Sequence, residues 1–220
     1  MARLGRPLQR TPEPRHIPRV RYALHGSAGP SLGAVAVTGM RSEVTGEAND
    51  YVGKGLSGAT VVVRPAGDRQ DQAVAGNVCL FGATGGTLHL VGRAGMRFAV
   101  RNSGARAVVE GIGAHGCEYM TGGAVVVLGS IGPNFGAGMT GGRAYLLDAD
   151  PDRLSAGLKA RKLDEDDRML LELLAAHSGE GSRQAATILG DWASWRTRFA
   201  VVEPMVSQAP VSVEPLALAR

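Results

Sequence analysis

Residues 111–148 read Gly-Ile-Gly-Ala-His-Gly-Cys-Glu-Tyr-Met-Thr-Gly-Gly-Ala-Val-Val-Val-Leu-Gly, then Ser-Ile-Gly-Pro-Asn-Phe-Gly-Ala-Gly-Met-Thr-Gly-Gly-Arg-Ala-Tyr-Leu-Leu-Asp. The two halves share one plan: a polar, glycine-rich run, then Met-Thr-Gly-Gly, then a short apolar run. Gly122-Gly123 and Gly141-Gly142 are the matching pairs, which sets a repeat of roughly 19 residues, within the range of solenoids. Upstream, Gly85-Gly86 before Thr-Leu-His-Leu and Gly104-Ala105 before Arg-Ala-Val-Val fall into the same step. Ser57-Gly58 opens the series, set back by a longer loop from Pro65 to Gly76.

Counting from the second small residue, offsets two and four carry Thr60 and Val62, Leu88 and Leu90, Ala107 and Val109, Val125 and Val127, Ala144 and Leu146. These ladders predict equivalent strands stacked in register, with those side chains in one core. Offset three, on the opposite face, holds Val61, His89, Val108, Val126 and Tyr145, apolar enough to need a cover. Offset one places Arg106 and Arg143 alike. Of the 32 glycines, 23 lie between Gly46 and Gly142, as expected where tight corners need positive φ. The fold class predicted is all-β: a right-handed parallel β-helix (solenoid) with a C-terminal helical appendage. The glycines assigned to its corners are Gly53, Gly55, Gly58, Gly85, Gly86, Gly104, Gly122, Gly123, Gly136, Gly138, Gly141 and Gly142.

Two runs, Gly53 to Gly58 and Gly136 to Gly141, match G-x-G-x-x-G. A dinucleotide site requires a strand before such glycines and a helix after them, whose N-terminus holds the pyrophosphate. Here each run leads into a strand and recurs as part of the repeat, so the nucleotide reading is set aside.

The phrases Glu47-Ala-Asn-Asp-Tyr-Val-Gly-Lys-Gly-Leu-Ser-Gly58 and Arg101-Asn-Ser-Gly-Ala-Arg-Ala-Val-Val-Glu-Gly-Ile-Gly-Ala-His-Gly-Cys-Glu-Tyr-Met-Thr-Gly-Gly123 resemble the C-terminal GXGXG domain of the glutamate synthase large subunit. More distantly they are similar to the formylmethanofuran dehydrogenase component built on the same repeat. The resemblance runs from about Gly26 to Asp148, and the tail at 164–204 resembles the end of the glutamate synthase large subunit. The family often has an acid before His115; here it is Ala114.

The chain of 220 residues has 44% hydrophobic and 20% charged content, which fits a globular protein. It holds no apolar run of membrane-spanning length, and residues 1–19 lack the apolar centre of a secretory signal. Two cysteines, Cys79 and Cys117, give no disulfide framework, and a cytoplasmic setting follows as an expectation. The net charge of +4 is that of residues 1–19 alone, where Arg3, Arg6, Arg10, Arg15 and Arg19 face one acid, Glu13. The body is balanced, so nucleic acid is not an expected partner. With Pro7, Pro12, Pro14 and Pro18, residues 1–19 read as a disordered basic leader or a basic docking arm.

Residues 20–149 form the expected β-helix domain. Its first, irregular coil is read from three β-rich runs: Arg-Tyr-Ala-Leu-His-Gly, Ala-Val-Ala-Val-Thr-Gly and Ser-Glu-Val-Thr-Gly-Glu. Residues 150–204 form the helical appendage. Asp164 is expected to cap a first helix, with Leu170, Leu171 and Leu174 on one face and Gly179 near its end. Ser182 is expected to cap a second, carrying Ala185, Ile188, Leu189, Trp192, Trp195 and Phe199 until Pro204 stops it. Its aromatic face should dock on the solenoid end or on a partner. Residues 205–220 read as a loose tail.

The strongest catalytic lure is His115-Gly-Cys117-Glu118, because a His-activated Cys is a nucleophile and extended residues two apart point the same way. The pair lies inside a repeated structural unit with no third orienting group, which favours packing, and Cys79 sits about two repeats back in a near-equivalent place. His89 reads as a stacked or surface histidine. Two cysteines are too few for a zinc or iron–sulfur site. Asp68, Asp71 and the acids from Asp164 to Asp167 read as solvated or helix-start charges. No catalytic, cofactor or metal residue is assigned.

The resemblance implies a role in glutamate biosynthesis. Glutamate synthases make two glutamates from glutamine, 2-oxoglutarate and reducing equivalents. An N-terminal cysteine releases ammonia, and an FMN domain with an iron–sulfur cluster forms and reduces the imine. The sequence begins Met-Ala, without that cysteine, and lacks the cluster cysteines. The expectation is therefore a non-catalytic structural domain or subunit, spacing the glutamine amidotransferase and FMN synthase parts, with FMN and the cluster in those partners. Three alternatives stay open: an accessory β-helix subunit of another amidotransferase, one of a formylmethanofuran dehydrogenase-like assembly, or a stand-alone β-helix enzyme using His115 and Cys117. A homo-oligomer is a further open expectation.

Overall fold

The computed structural model describes residues 19–67, 71–163 and 167–205. The leader before Arg19, Asp68, the expected cap Asp164 and the tail from 206 lie outside the described residues. Seven strands follow in chain order: β1 (Val20–Ser27), β2 (Met40–Glu47), β3 (Ser57–Arg64), β4 (Gly85–Leu90), β5 (Ser103–Val109), β6 (Thr121–Val127) and β7 (Gly141–Leu147). Each pairs in parallel with the next. Sheet order is thus chain order, the arrangement of stacked coils in a parallel β-solenoid. Two further strands, β8 (Leu158–Lys162) and β9 (Phe199–Pro204), complete the sheet. β9 runs antiparallel to β7, and β8 antiparallel to β9.

Register confirms four of the five predicted ladders and corrects the first. Val61, not Thr60, is aligned with Leu88, Ala107, Val125 and Ala144; Val63, not Val62, is aligned with Leu90, Val109, Val127 and Leu146. These inner columns are buried in one core. The same register shift as between Ser57 and Thr60 recurs between Ser103 and Arg106 and between Thr121 and Ala124, so what sets β3 apart is its starting point: Ala59, not Gly58, is the small residue that matches Gly86. Counting from Gly58 moves the strand by one residue, which exchanges its two faces. Val62 therefore joins His89, Val108, Val126 and Tyr145 on the outer face, while Arg106 and Arg143 do share a column.

The other long side of each coil is not a β-strand. Its glycine-rich segments place three alternate residues in the left-handed region, with φ between 52° and 72°. The triplets are Ser31, Gly33 and Val35; Tyr51, Gly53 and Gly55; Val78, Leu80 and Gly82; Arg97, Ala99 and Arg101; His115, Cys117 and Tyr119; and Asn134, Gly136 and Gly138. Outer members of a triplet donate their N–H to the next coil, as from Tyr51 to the Asn77 carbonyl and from Arg101 to that of Glu118. The middle member donates to the preceding coil, as from Cys117 to the Phe98 carbonyl. The alternation gives each segment bonds to both neighbours, so no buried backbone group need be left unpaired. It also explains the second predicted run, Ala-Val-Ala-Val-Thr-Gly, which is no strand: Val35 has φ 52° and Val37 makes only isolated bridges.

The appendage covers the outer face of the sheet. Helix α1 (Arg168–Gly179) is capped by Asp167, whose side chain accepts from the Leu170 N–H. Its buried residues are Leu170, Leu173, Leu174 and His177, so Leu173 takes the place predicted for Leu171. Each fully buried leucine contributes roughly 1.5–3 kcal/mol of transfer free energy. Helix α2 (Arg183–Gly190) is capped by Ser182, as expected. It ends early: a short α3 (Trp192–Trp195) and one turn of 3₁₀-helix follow, and Phe199 opens β9 instead of extending the helix. The three-to-four spacing persists through the break, but Gly190-Asp191 interrupts the helix and Phe199-Ala-Val-Val pairs with the otherwise open edge of β7. Leu170, Leu173, Leu174, Ala185, Ile188 and Phe199 pack with Val108, Val126 and Tyr145 in a second core. The apolar outer face is thus covered by the chain itself and is not left for a partner.

Candidate functional site

His115 and Cys117 do not form a pair. Both have positive φ, 65° and 57°, so the segment is not extended and the expectation of a common direction fails. The Cys117 side chain is fully buried in the inner core, and that burial pushes its thiol far above the ordinary range. His115 lies partly exposed, with Nδ1 2.7 Å from Glu118 Oε1. A buried neutral thiol is a poor nucleophile. Cys79 is not equivalent to Cys117: it precedes the left-handed Leu80 by one residue, as Phe98 precedes Ala99. Burial also raises its thiol, to about 12.

The repeat glycines serve two different needs. Gly123 and Gly142 have φ 86° and 80°, and a Cβ on Gly123 would lie 2.2 Å from the Ala105 carbonyl oxygen. Gly104, Gly122 and Gly141 lack positive φ, yet a Cβ there would lie 2.3–2.4 Å from the carbonyl oxygen of Thr84, Ser103 or Thr121 in the preceding coil. Close stacking of coils, not only corner geometry, therefore requires glycine. At Gly55 and Gly138 the added atom would meet the side chains of Val35 and Tyr119, which lie over the neighbouring coil.

The polar groups that sequence reading missed lie between sheet and appendage. Tyr145 donates from its hydroxyl to Asp167 Oδ1 at 3.0 Å, the same oxygen that caps α1. Burial, with the Asp167 carboxylate adding to it and Arg143 opposing, raises the Tyr145 phenol to about 12. At the other end of α1, Glu180 receives Arg41 Nη2 at 2.8 Å on both oxygens. Glu43 accepts from Arg21, Arg41 and Arg64 at 2.6–2.7 Å. Bonds from Arg21 and Arg41, against the opposing effect of burial, hold its carboxyl near 2.

Between these ends lies a buried polar cluster. His89 Nδ1 is 3.3 Å from His177 Nδ1, and the rings stack at 5.4 Å. Ser182 Oγ donates to Glu110 Oε1, and His177 Nε2 lies 3.6 Å from the same oxygen. The consistent tautomers have His89 Nδ1–H donating to His177 Nδ1, leaving the His177 Nε2–H directed toward Glu110. Burial first, then the electrostatic influence of His177 and Arg41, lowers the His89 pKa to about 3. The reading of His89 as a stacked histidine holds, though its stacking partner is a helix residue rather than the next coil. The only sequence signal for this cluster is a histidine in an otherwise apolar column.

A cleft of about 470 Å³ beside Glu110 is lined also by Asp71, Arg93 and Gln184. Among the described residues, no group of three His, Cys, Asp or Glu side chains is placed to hold a metal. Two buried, separated, neutral thiols do not fit an iron–sulfur cluster, which takes three or four cysteine thiolates. No helix of the described residues is long and apolar enough to cross a membrane.

The coils and their alternating left-handed positions define a class of solenoid, marked in this sequence by the glycines two apart at Gly53 and Gly55 and at Gly136 and Gly138. The GXGXG motif family matches residues 2–205, and the chain belongs to that family. It is similar to the glutamate synthase (NADPH) large chain of Azospirillum brasilense, with 53% identity over 82% of this chain and 13% of that protein. The ferredoxin-dependent glutamate synthase of Pyropia yezoensis is 48% identical over 84% of this chain. Ferredoxin-dependent glutamate synthase 1 of Arabidopsis thaliana is 45% identical over 87%. The chain spans 13% of the length of each of these relatives.

Proposed function

We propose that this chain is the structural GXGXG part of a glutamate synthase-type assembly in ammonia assimilation, and that it carries no catalytic step itself. It would hold a glutamine amidotransferase part and an FMN synthase part at a fixed separation. The observation supporting this most directly is that 82–87% of the chain aligns with glutamate synthase large chains. Further support comes from Cys117, sealed in the inner core, and from glycines engaged in coil stacking instead of phosphate binding. Flavin and iron–sulfur chemistry would belong to the partner parts, where FMN and the cluster supply reducing equivalents. The cytoplasm is the expected setting.

Reconstitution tests this. Alone, the chain should be colourless and show no glutaminase activity. Added to a glutamate synthase large chain lacking the matching segment, it should raise glutamine-dependent glutamate formation. A flavin spectrum or turnover from the isolated chain would end the structural reading.

A further inference from the structure

Left-handed backbone costs a non-glycine residue free energy, and twelve of the eighteen ladder positions are not glycine. At the middle positions burial offsets that cost, since Leu80, Ala99 and Cys117 are fully buried. At the outer positions it does not. Val35 is 72% exposed, Tyr51 40% and Tyr119 56%, and Arg97 and Arg101 are also exposed. The fold thus holds large side chains outward in a conformation that glycine would adopt freely.

The chemistry of this face is one-sided. The acids of these segments are Asp50 and Glu118. Asp50 accepts from the Asn77 N–H at 2.7 Å, and Glu118 is held by His115. Lys54 lies over the Tyr51 ring at 5.3 Å, and Arg97 and Arg101 make no ion pair among the described residues. We propose that the left-handed ladder is a docking face for an acidic protein surface, with Tyr51, Tyr119 and Val35 as apolar contacts and Lys54, Arg97 and Arg101 as carboxylate partners. This rests on the structural-domain reading: the acidic surface belongs to the remainder of the synthase, which in the relatives is most of the chain. Arginine and tyrosine are the residues that protein interfaces favour, with charges placed to meet their complement.

The test is hydroxyl-radical footprinting of the isolated chain and of a full-length graft. In the graft, this chain replaces the matching segment of the Azospirillum brasilense large chain. Labelling of Tyr51, Met96 and Tyr119 should fall at least fivefold in the graft. Arg97→Gly with Arg101→Gly should raise the melting temperature of the isolated chain, because strain is relieved. The same change should lower glutamate formation by the graft, restore labelling of Tyr119, or both. A purely structural role would move stability and activity in the same direction. An active graft with unchanged labelling would overturn the docking face and leave the structural-domain reading standing. An inactive graft with unchanged labelling would overturn both. Protection of the isolated chain by single-stranded RNA, with none in the graft, would overturn the protein partner in favour of a nucleic acid.

Discussion

Acidification should loosen the appendage through one histidine. His89 faces His177 on α1 and feels Arg41 on β2, while Glu110, just after β5, lies against His177, and the His89 imidazole stays neutral in the fold down to about pH 3. In the unfolded chain the same group takes a proton near its ordinary value of 6.5. A pKa lowered on folding gives a stabilisation that is complete above the unfolded value and is lost as pH falls from there toward the folded value. At pH 4 the loss from this group amounts to about 3 kcal/mol, at about 1.4 kcal/mol for each unit between the unfolded pKa and the pH. That is a large part of the net stability of an ordinary domain. The assay is urea unfolding of wild type and His89→Gln at pH 7 and pH 4. Emission from Trp192 and Trp195, both in the short helix α3, follows the appendage. Glu43 and the other carboxylates titrate in both proteins and cancel in the comparison. Wild type should lose about 3 kcal/mol more than His89→Gln over that interval. Equal losses would show that His89 does not couple protonation to docking of the appendage.

Gly123→Val should destabilise by about 3 kcal/mol or more, from positive φ and contact with the backbone of the preceding coil, whereas Gly179→Ala, in open space and without positive φ, should cost far less; equal melting temperatures for Gly123→Val and wild type would refute the stacking argument. Cys117→Ala and His115→Ala should leave glutamate formation by the reconstituted assembly nearly intact after correction for folding, and a loss of about 10³-fold in a folded variant would mark a catalytic pair instead.

The repeat is legible because stacking imposes it: every coil must present the same inner residues, so Leu88, Ala107, Val125 and Ala144 recur at one step. The starting point of β3 is not legible, since Gly58 and Ala59 are both small and only the pairing shows that Ala59 matches Gly86. The left-handed ladder reads as corners in the sequence, and His115 and Cys117 as neighbours, because alternating left-handed backbone has no common sequence mark when Arg, Tyr and Val occupy the positions. Helix α2 comes out too long because apolar spacing survives the break at Gly190-Asp191, and only the free edge of β7 decides that Phe199 belongs to a strand. Asp167, Glu110, Glu180 and His177 cannot be told from surface charges in the sequence, as their partners lie on elements far away along the chain.

The arrangement of α1 bears on the proposed spacing role. Its cap is tied to Tyr145 on β7, its last turn stacks on His89 of β4, and Glu180 just beyond it is held by Arg41 of β2. Three strand spacings, from β7 to β4, amount to roughly 14 Å, and the rise along the helix from Asp167 to His177 is roughly 15 Å. The helix therefore lies along the solenoid axis, across the strands. Coils of a bare solenoid are joined only to their nearest neighbours, so opening can spread from either end. A helix fixed at β7, β4 and β2 couples coils that are not adjacent and makes their separation a cooperative event. It occupies the outer face of the sheet and leaves the left-handed ladder open, so the strap and the proposed docking face do not compete for one surface. Two partners resting on that ladder would be held apart by backbone hydrogen bonds in both walls of the coil and by a helix clamped across one of them.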